Sequence, residues 1–150
     1  ASDVYKRQVV EELEDMETEE QIPDENKECI LLIDDNADVR DYVKSLLKEE
    51  YTVIEAPDGR AGLKKAMKYV PDAIICDVMM PVMDGFEASR AIRALDRPDA
   101  ATVPILAMTA QASDECAQSC HQVGMNGRLV KPLDAKKLAK SIREAVQNKQ

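Results

Sequence analysis

A chain of 150 residues suits one compact domain, and its 45% hydrophobic and 33% charged content excludes collagen, a low-complexity polymer and a wholly disordered chain. The net charge of −9 is unevenly placed, since residues 11–28 hold ten acids and one lysine while residues 29–150 are close to neutral. No apolar run approaches the roughly 18 residues of a membrane span and no signal segment opens the chain, so a cytoplasmic location is expected.

Residues 1–28 read as a disordered acidic leader, because the stretch 9–28, whose large apolar residues are only Val9, Val10, Leu13, Met16 and Ile22, cannot offset its own ordering entropy. Within it, one back-translation of Asp3-Val-Tyr-Lys-Arg-Gln8 matches a transposon-end adaptor of sequencing libraries. Residues 3–8 are therefore set aside as a scar, with the natural chain expected to extend upstream.

From Cys29 onward, short β-rich runs alternate with amphipathic helical windows, the pattern of a parallel α/β sheet. The expected strands are Cys29 to Ile33, Tyr51 to Ile54, Ala73 to Cys76, Val103 to Met108 and Arg128 to Val130. Between them run helical stripes: Val39, Val43, Leu46 and Leu47; Leu63, Ala66, Met67 and Val70; Ala88, Ala91, Ile92 and Leu95; Cys116, Cys120 and Val123; and Leu138, Ile142 and Ala145. Asn36, Asp58, Asp84, Ser113 and Asp134 stand where N-caps belong, and Asp84 with Glu87 has capping-box spacing. The expected domain, residues 29–150, is a doubly wound (βα)5 unit with a five-stranded parallel sheet.

Of the four cysteines, Cys29 and Cys76 lie in apolar runs and read as buried thiols. Cys116 and Cys120 share a helix face, but His121 points elsewhere and no fourth ligand is evident, so zinc is disfavoured.

The polar residues at the strand ends carry more. Asp34 and Asp35 follow the first strand, Asp77 the third and Thr109 the fourth, and Lys131 ends the fifth. In the flavodoxin-like order 2-1-3-4-5 these groups form one cluster beyond the carboxyl ends of the strands. Three close carboxylates repel unless a cation joins them, and all-oxygen ligation suits Mg2+ or Mn2+ better than zinc. With Lys131 and Thr109 added, the set fits a phosphoryl group, an Asp serving as nucleophile to give an aspartyl-phosphate. Any one of these acids alone would more often be a cap or a solvated charge; five polar residues at matching strand ends are hard to attribute to chance.

Ile30-Leu-Leu-Ile-Asp-Asp-Asn36, Ile75-Cys-Asp-Val-Met-Met-Pro-Val-Met-Asp-Gly85, Met108-Thr-Ala110 and Val130-Lys-Pro132 together resemble the response-regulator receiver domain of two-component systems, over residues 29–148. The resemblance implies that Asp77 is the phosphoacceptor and that Asp35 and Asp34 hold Mg2+ directly and through water. It further implies that the Met79 backbone carbonyl completes the metal site, that Thr109 and Lys131 bind the phosphoryl group, and that the Lys131–Pro132 peptide is cis. Phosphoryl transfer and later hydrolysis would be catalysed by the domain itself. The partner implied is a histidine kinase or a histidine phosphotransfer domain, with no direct nucleic-acid or membrane contact by this segment.

The layout is most like the C-terminal receiver of a hybrid sensor kinase, with a free single-domain regulator as the alternative. One departure stands out: where the family usually has an aromatic, three residues before the Lys, this chain has Arg128. A guanidinium is costly to bury without partners, so Arg128 is expected at the surface and the conformational response to phosphorylation is expected to be small. An aspartate-nucleophile phosphatase would need Asp-x-Asp after the first strand and room for a cap. A flavin module would want a Ser-, Thr- or Gly-rich loop there, and a degenerate receiver would lack Asp77 or Lys131.

Overall fold

The first strand shows how the sheet sorts its side chains. In β1 (Glu28–Ile33) Leu31 and Ile33 enter one apolar cluster and Ile30 and Leu32 another, as the two-residue period of a strand requires when both faces are covered. The computed structural model describes residues 26–79, 83–110 and 114–148. After β1 come α1 (Ala37–Leu47), β2 (Tyr51–Ala56), α2 (Gly59–Lys68), β3 (Ala73–Asp77), α3 (Gly85–Arg93), a short α4 (Pro98–Thr102), β4 (Ile105–Thr109), α5 (Asp114–Gln122), β5 (Gly127–Val130) and α6 (Ala135–Asn148). All strand pairs are parallel, and the order is β2-β1-β3-β4-β5, the doubly wound arrangement expected.

Leu63 and Ala66 of α2, Ala88 and Ile92 of α3 and Cys120 of α5 cover one face of the sheet. Val43 and Leu47 of α1 with Leu138, Ile142 and Val146 of α6 cover the other. Starts of helices are fixed locally. Asn36 Oδ1 accepts from the Asp38 and Val39 N–H groups, Asp58 Oδ1 from Ala61 N–H, Asp84 Oδ1 from Glu87 N–H and Asp134 Oδ1 from Lys136 N–H, each satisfying a donor the helix itself leaves unpaired.

Several expectations need correction. Leu46 is 37% exposed and Val70 60% exposed: α2 stops at Lys68, so Val70 lies beyond the helix whose stripe it seemed to continue. Strand β4 begins at Ile105 rather than Val103, because residues 98–102 form α4 with Pro98 in its first turn and Val103 as its C-cap. The leader reading and the Ser113 cap fall largely outside the described residues, as does the Cys116 side chain, and β1 already includes Glu28. Cys29, Cys76 and Cys120 are buried and form no disulfide.

Candidate functional site

Parallel pairing brings the strand ends together. Ile33 pairs with Cys76, Asp77 with Met108 and Thr109 with Val130, so Asp34, Asp77, Thr109 and Lys131 all emerge at one rim. Asp34 is fully buried. Its N–H donates to Ala56 O at 3.1 Å, and its Oδ1 accepts the Asn36 N–H at 2.8 Å. Asp77, also buried, accepts the Met79 N–H on Oδ1 at 3.1 Å. The remaining oxygens of both acids converge on one cation, for Lys131 Nζ lies 3.2 Å from Asp34 Oδ2 and 3.3 Å from Asp77 Oδ2. Lys131 is fixed in turn by its own N–H, which donates to Thr109 O at 2.7 Å, and the Lys131–Pro132 peptide is cis.

Asp35 is exposed beside this pair. Carboxylate oxygens of Asp34, Asp35 and Asp77 lie within 4.8 Å of one another, close enough for a single oxygen-liking divalent ion to touch all three. That carboxylate set fits Mg2+, and Lys131 and the β4 end at Thr109 lie on the same rim. Burial by itself would lower the Lys131 ammonium, but the facing charges and hydrogen bonds of Asp34 and Asp77 outweigh it, and the net effect is a raised pKa. Lys131 thus stays charged across the physiological range. The Met79 side chain stands outside the cluster, 76% exposed, and Arg128 is half-buried on the edge strand β5.

Two supporting residues escaped the sequence reading. A Cβ on Gly85 would strike the Asp77 carbonyl oxygen and lie 2.8 Å from Val78 Cα, so glycine at the start of α3 lets the helix meet the end of β3 without displacing it. Its place one residue after the Asp84 cap was the available signal. Arg40 donates from Nη1 to Asp34 O at 2.7 Å, and nothing in its place on α1 distinguished it from a solvated charge.

The response regulator receiver domain model matches residues 30–143. The chain belongs to this family. Among similar solved structures, the Vibrio cholerae chemotaxis protein CheY4 is 38% identical, with a TM-score of 0.75 over 79% of this chain and 98% of that one. The receiver domain of the Pseudomonas aeruginosa sensor histidine kinase PA1611, described with a magnesium ion coordinated in its active-site cleft, is 32% identical, with a TM-score of 0.74 over 81% of this chain and 99% of that one. Hybrid signal transduction histidine kinase D of Dictyostelium discoideum is 33% identical over 88% of this chain, which spans 8% of that much longer relative. This is therefore a receiver domain of two-component signalling, a module that works with histidine kinases, and its aspartate cluster, with Asp34 and Asp77 buried, fits a Mg2+-dependent phosphoacceptor site. None of the helices among the described residues is long and apolar enough to cross a membrane.

Proposed function

We propose that this receiver accepts a phosphoryl group on Asp77 from a phosphohistidine of a kinase or phosphotransfer domain, as one step of a phosphorelay, with residues 1–28 as an acidic linker ahead of residues 29–150. The observation that carries this reading is the shared Lys131 contact: one ammonium bridges two buried carboxylates at 3.2 and 3.3 Å, beyond the roughly 2.7–2.9 Å of a tight charged pair. In the transfer, a carboxylate oxygen of Asp77 forms a bond to phosphorus as the bond from phosphorus to the donor nitrogen breaks, and the electron pair leaves with the imidazole.

Asp34, Asp35 and Asp77, with the Met79 carbonyl, would hold Mg2+, which when bound supplies positive charge against the phosphoryl oxygens; Mn2+ would serve in the same place. Lys131 meets a second oxygen by releasing Asp77 Oδ2, and the Thr109 hydroxyl meets a third. With Arg128 in place of an aromatic, the shift that follows is expected to be small. A cytoplasmic setting follows from the partner.

The test is intact mass after incubation with acetyl phosphate and Mg2+. One phosphoryl group is expected, absent in Asp77→Asn and absent after chelation. Its persistence in either case sinks the assignment. A stand-alone regulator is the second reading, favoured by the near-complete span of CheY4, and genomic sequence upstream of Val9 separates the two.

A further inference from the structure

We propose that Arg40 is a positioning residue for the metal-binding acids. The proposal rests on the reading that Asp34 and Asp35 hold Mg2+. The backbone of Asp34 is the hinge on which both carboxylates are aimed, and it is held on both sides. On one side the Asp34 N–H donates to Ala56 O of β2 at 3.1 Å. On the other, the oxygen of the Asp34–Asp35 peptide accepts from Arg40 Nη1 at 2.7 Å.

That guanidinium is itself anchored. Its Nε lies 3.4 Å from Glu55 Oε1, on the residue immediately before Ala56, while Lys44 Nζ sits 3.3 Å from the second Glu55 oxygen and Lys65 Nζ donates to the Glu55 backbone carbonyl. Arg40 therefore closes a loop that starts and ends on β2 and passes through the acid pair. Only 18% of its side chain is exposed. Asp34 is also held through Asn36 N–H and Lys131; exposed Asp35 takes its direction chiefly from the peptide that Arg40 grips. A planar fork that contacts two partners at once does this where a point charge would not.

Charge and geometry make opposite demands on Mg2+ binding. If Arg40 acted only through its field, its removal would tighten binding, since one positive charge would leave the neighbourhood of a cation site. If it acts by aiming the carboxylates, removal weakens binding, and residues that orient metal ligands typically account for about 10- to 100-fold in affinity.

The experiment is calorimetric titration of Mg2+ into the metal-free chain, with the rate of Asp77 phosphorylation at saturating Mg2+ measured alongside. Arg40→Gln and Arg40→Lys are both expected to weaken Mg2+ by about tenfold or more while the saturated rate stays near that of the parent. Parent-like or tighter binding by Arg40→Gln would overturn the proposal, as would full affinity in Arg40→Lys, which would show that the planar fork is not needed. Should the Arg40 variants not fold, Glu55→Gln decides: weaker Mg2+ binding by a folded chain supports the proposal, and parent affinity overturns it. Asp35→Asn in the same titration is expected to lose binding. Parent-like binding there would overturn the metal reading itself and so separates the two failures.

Discussion

At the amino ends of β4 and β5, Arg93 donates to Gly124 O at 3.1 and 2.7 Å, to Ala100 O at 3.0 Å and to Asn126 Oδ1 at 2.8 Å, and that same Asn126 oxygen accepts the Ile105 N–H at 2.8 Å. Asp72 joins β1 there, taking the Cys29 N–H at 2.7 Å and returning its own N–H to Cys29 O at 2.8 Å. At the carboxyl ends, Lys131 is divided between Asp34 and Asp77 at 3.2 and 3.3 Å. Both rims contain polar groups withdrawn from water. At the first, short bonds knit loops to strands within the fold; at the second, long contacts leave carboxylate oxygens with capacity for a further partner. The difference teaches that burial of charge does not by itself mark function. Unfilled coordination does.

Gly85→Ala would break the contrast most severely, because the new methyl meets the Asp77 carbonyl and Val78 Cα. The rate of phosphorylation by acetyl phosphate, followed by intact mass, should fall on the order of 100-fold, as small misplacements of reacting groups do. A parent-like rate would show that the rim tolerates displacement.

Arg93→Met tests the closed rim. It leaves Gly124 O and Ala100 O without this donor and should lower unfolding free energy by about 2–4 kcal/mol in urea titrations, with Mg2+ affinity unchanged. Altered affinity would mean that the two rims are coupled.

A gentler probe is Mg2+ itself. At ten times its dissociation constant the ion should stabilise the folded chain by about 1.4 kcal/mol, seen as a raised melting temperature, and Asp35→Ala should lose that shift. An equal shift in the variant would place the ion elsewhere.

The smallest effect is a pH drift at the closed rim. Burial first, and the negative charge of Asp72 second, push the Cys29 thiol up to about 11 from its ordinary 9.0. Below pH 9 folded and unfolded chains both keep the proton; between about pH 9 and 11 the unfolded chain alone loses it, so stability declines as pH rises through that window. Relative to Cys29→Ala, a loss of about 1 kcal/mol by pH 9.5 is expected in denaturant melts. An identical slope in both proteins would show that the thiol is not held neutral.

Much of this was legible in the chain. Apolar runs such as Ile30 to Ile33 announce strands covered on both sides, and the acids after them mark the rim. Leu46 and Val70 misled because spacing alone says neither how wide a helix face is covered nor where the helix stops. The five residues of α4 are too few to show a period, leaving Pro98 as the lone clue. Arg40 and Glu55 were invisible for a different reason: each belongs to an element that reads as ordinary, and their meaning arises only when α1 folds back over β2. Gly85 was quoted within a motif, yet the backbone it must clear could not be read from sequence.

The hydrogen bond from Lys131 N–H to Thr109 O ties two neighbouring strand ends into one mechanical unit. Thr109 and Lys131 are the groups expected to grip phosphoryl oxygens, and a pull on either is expected to reach the other through this one backbone hydrogen bond. The opposite side of the cleft is braced by Asp34, with its main chain pinned to β2. Force applied by a newly attached group should therefore be taken up on the β4 and β5 side and run outward to the edge of the sheet, where Val130 already meets solvent. The message is therefore expected to leave by the margin, away from the side that the bonds at Asp34 brace.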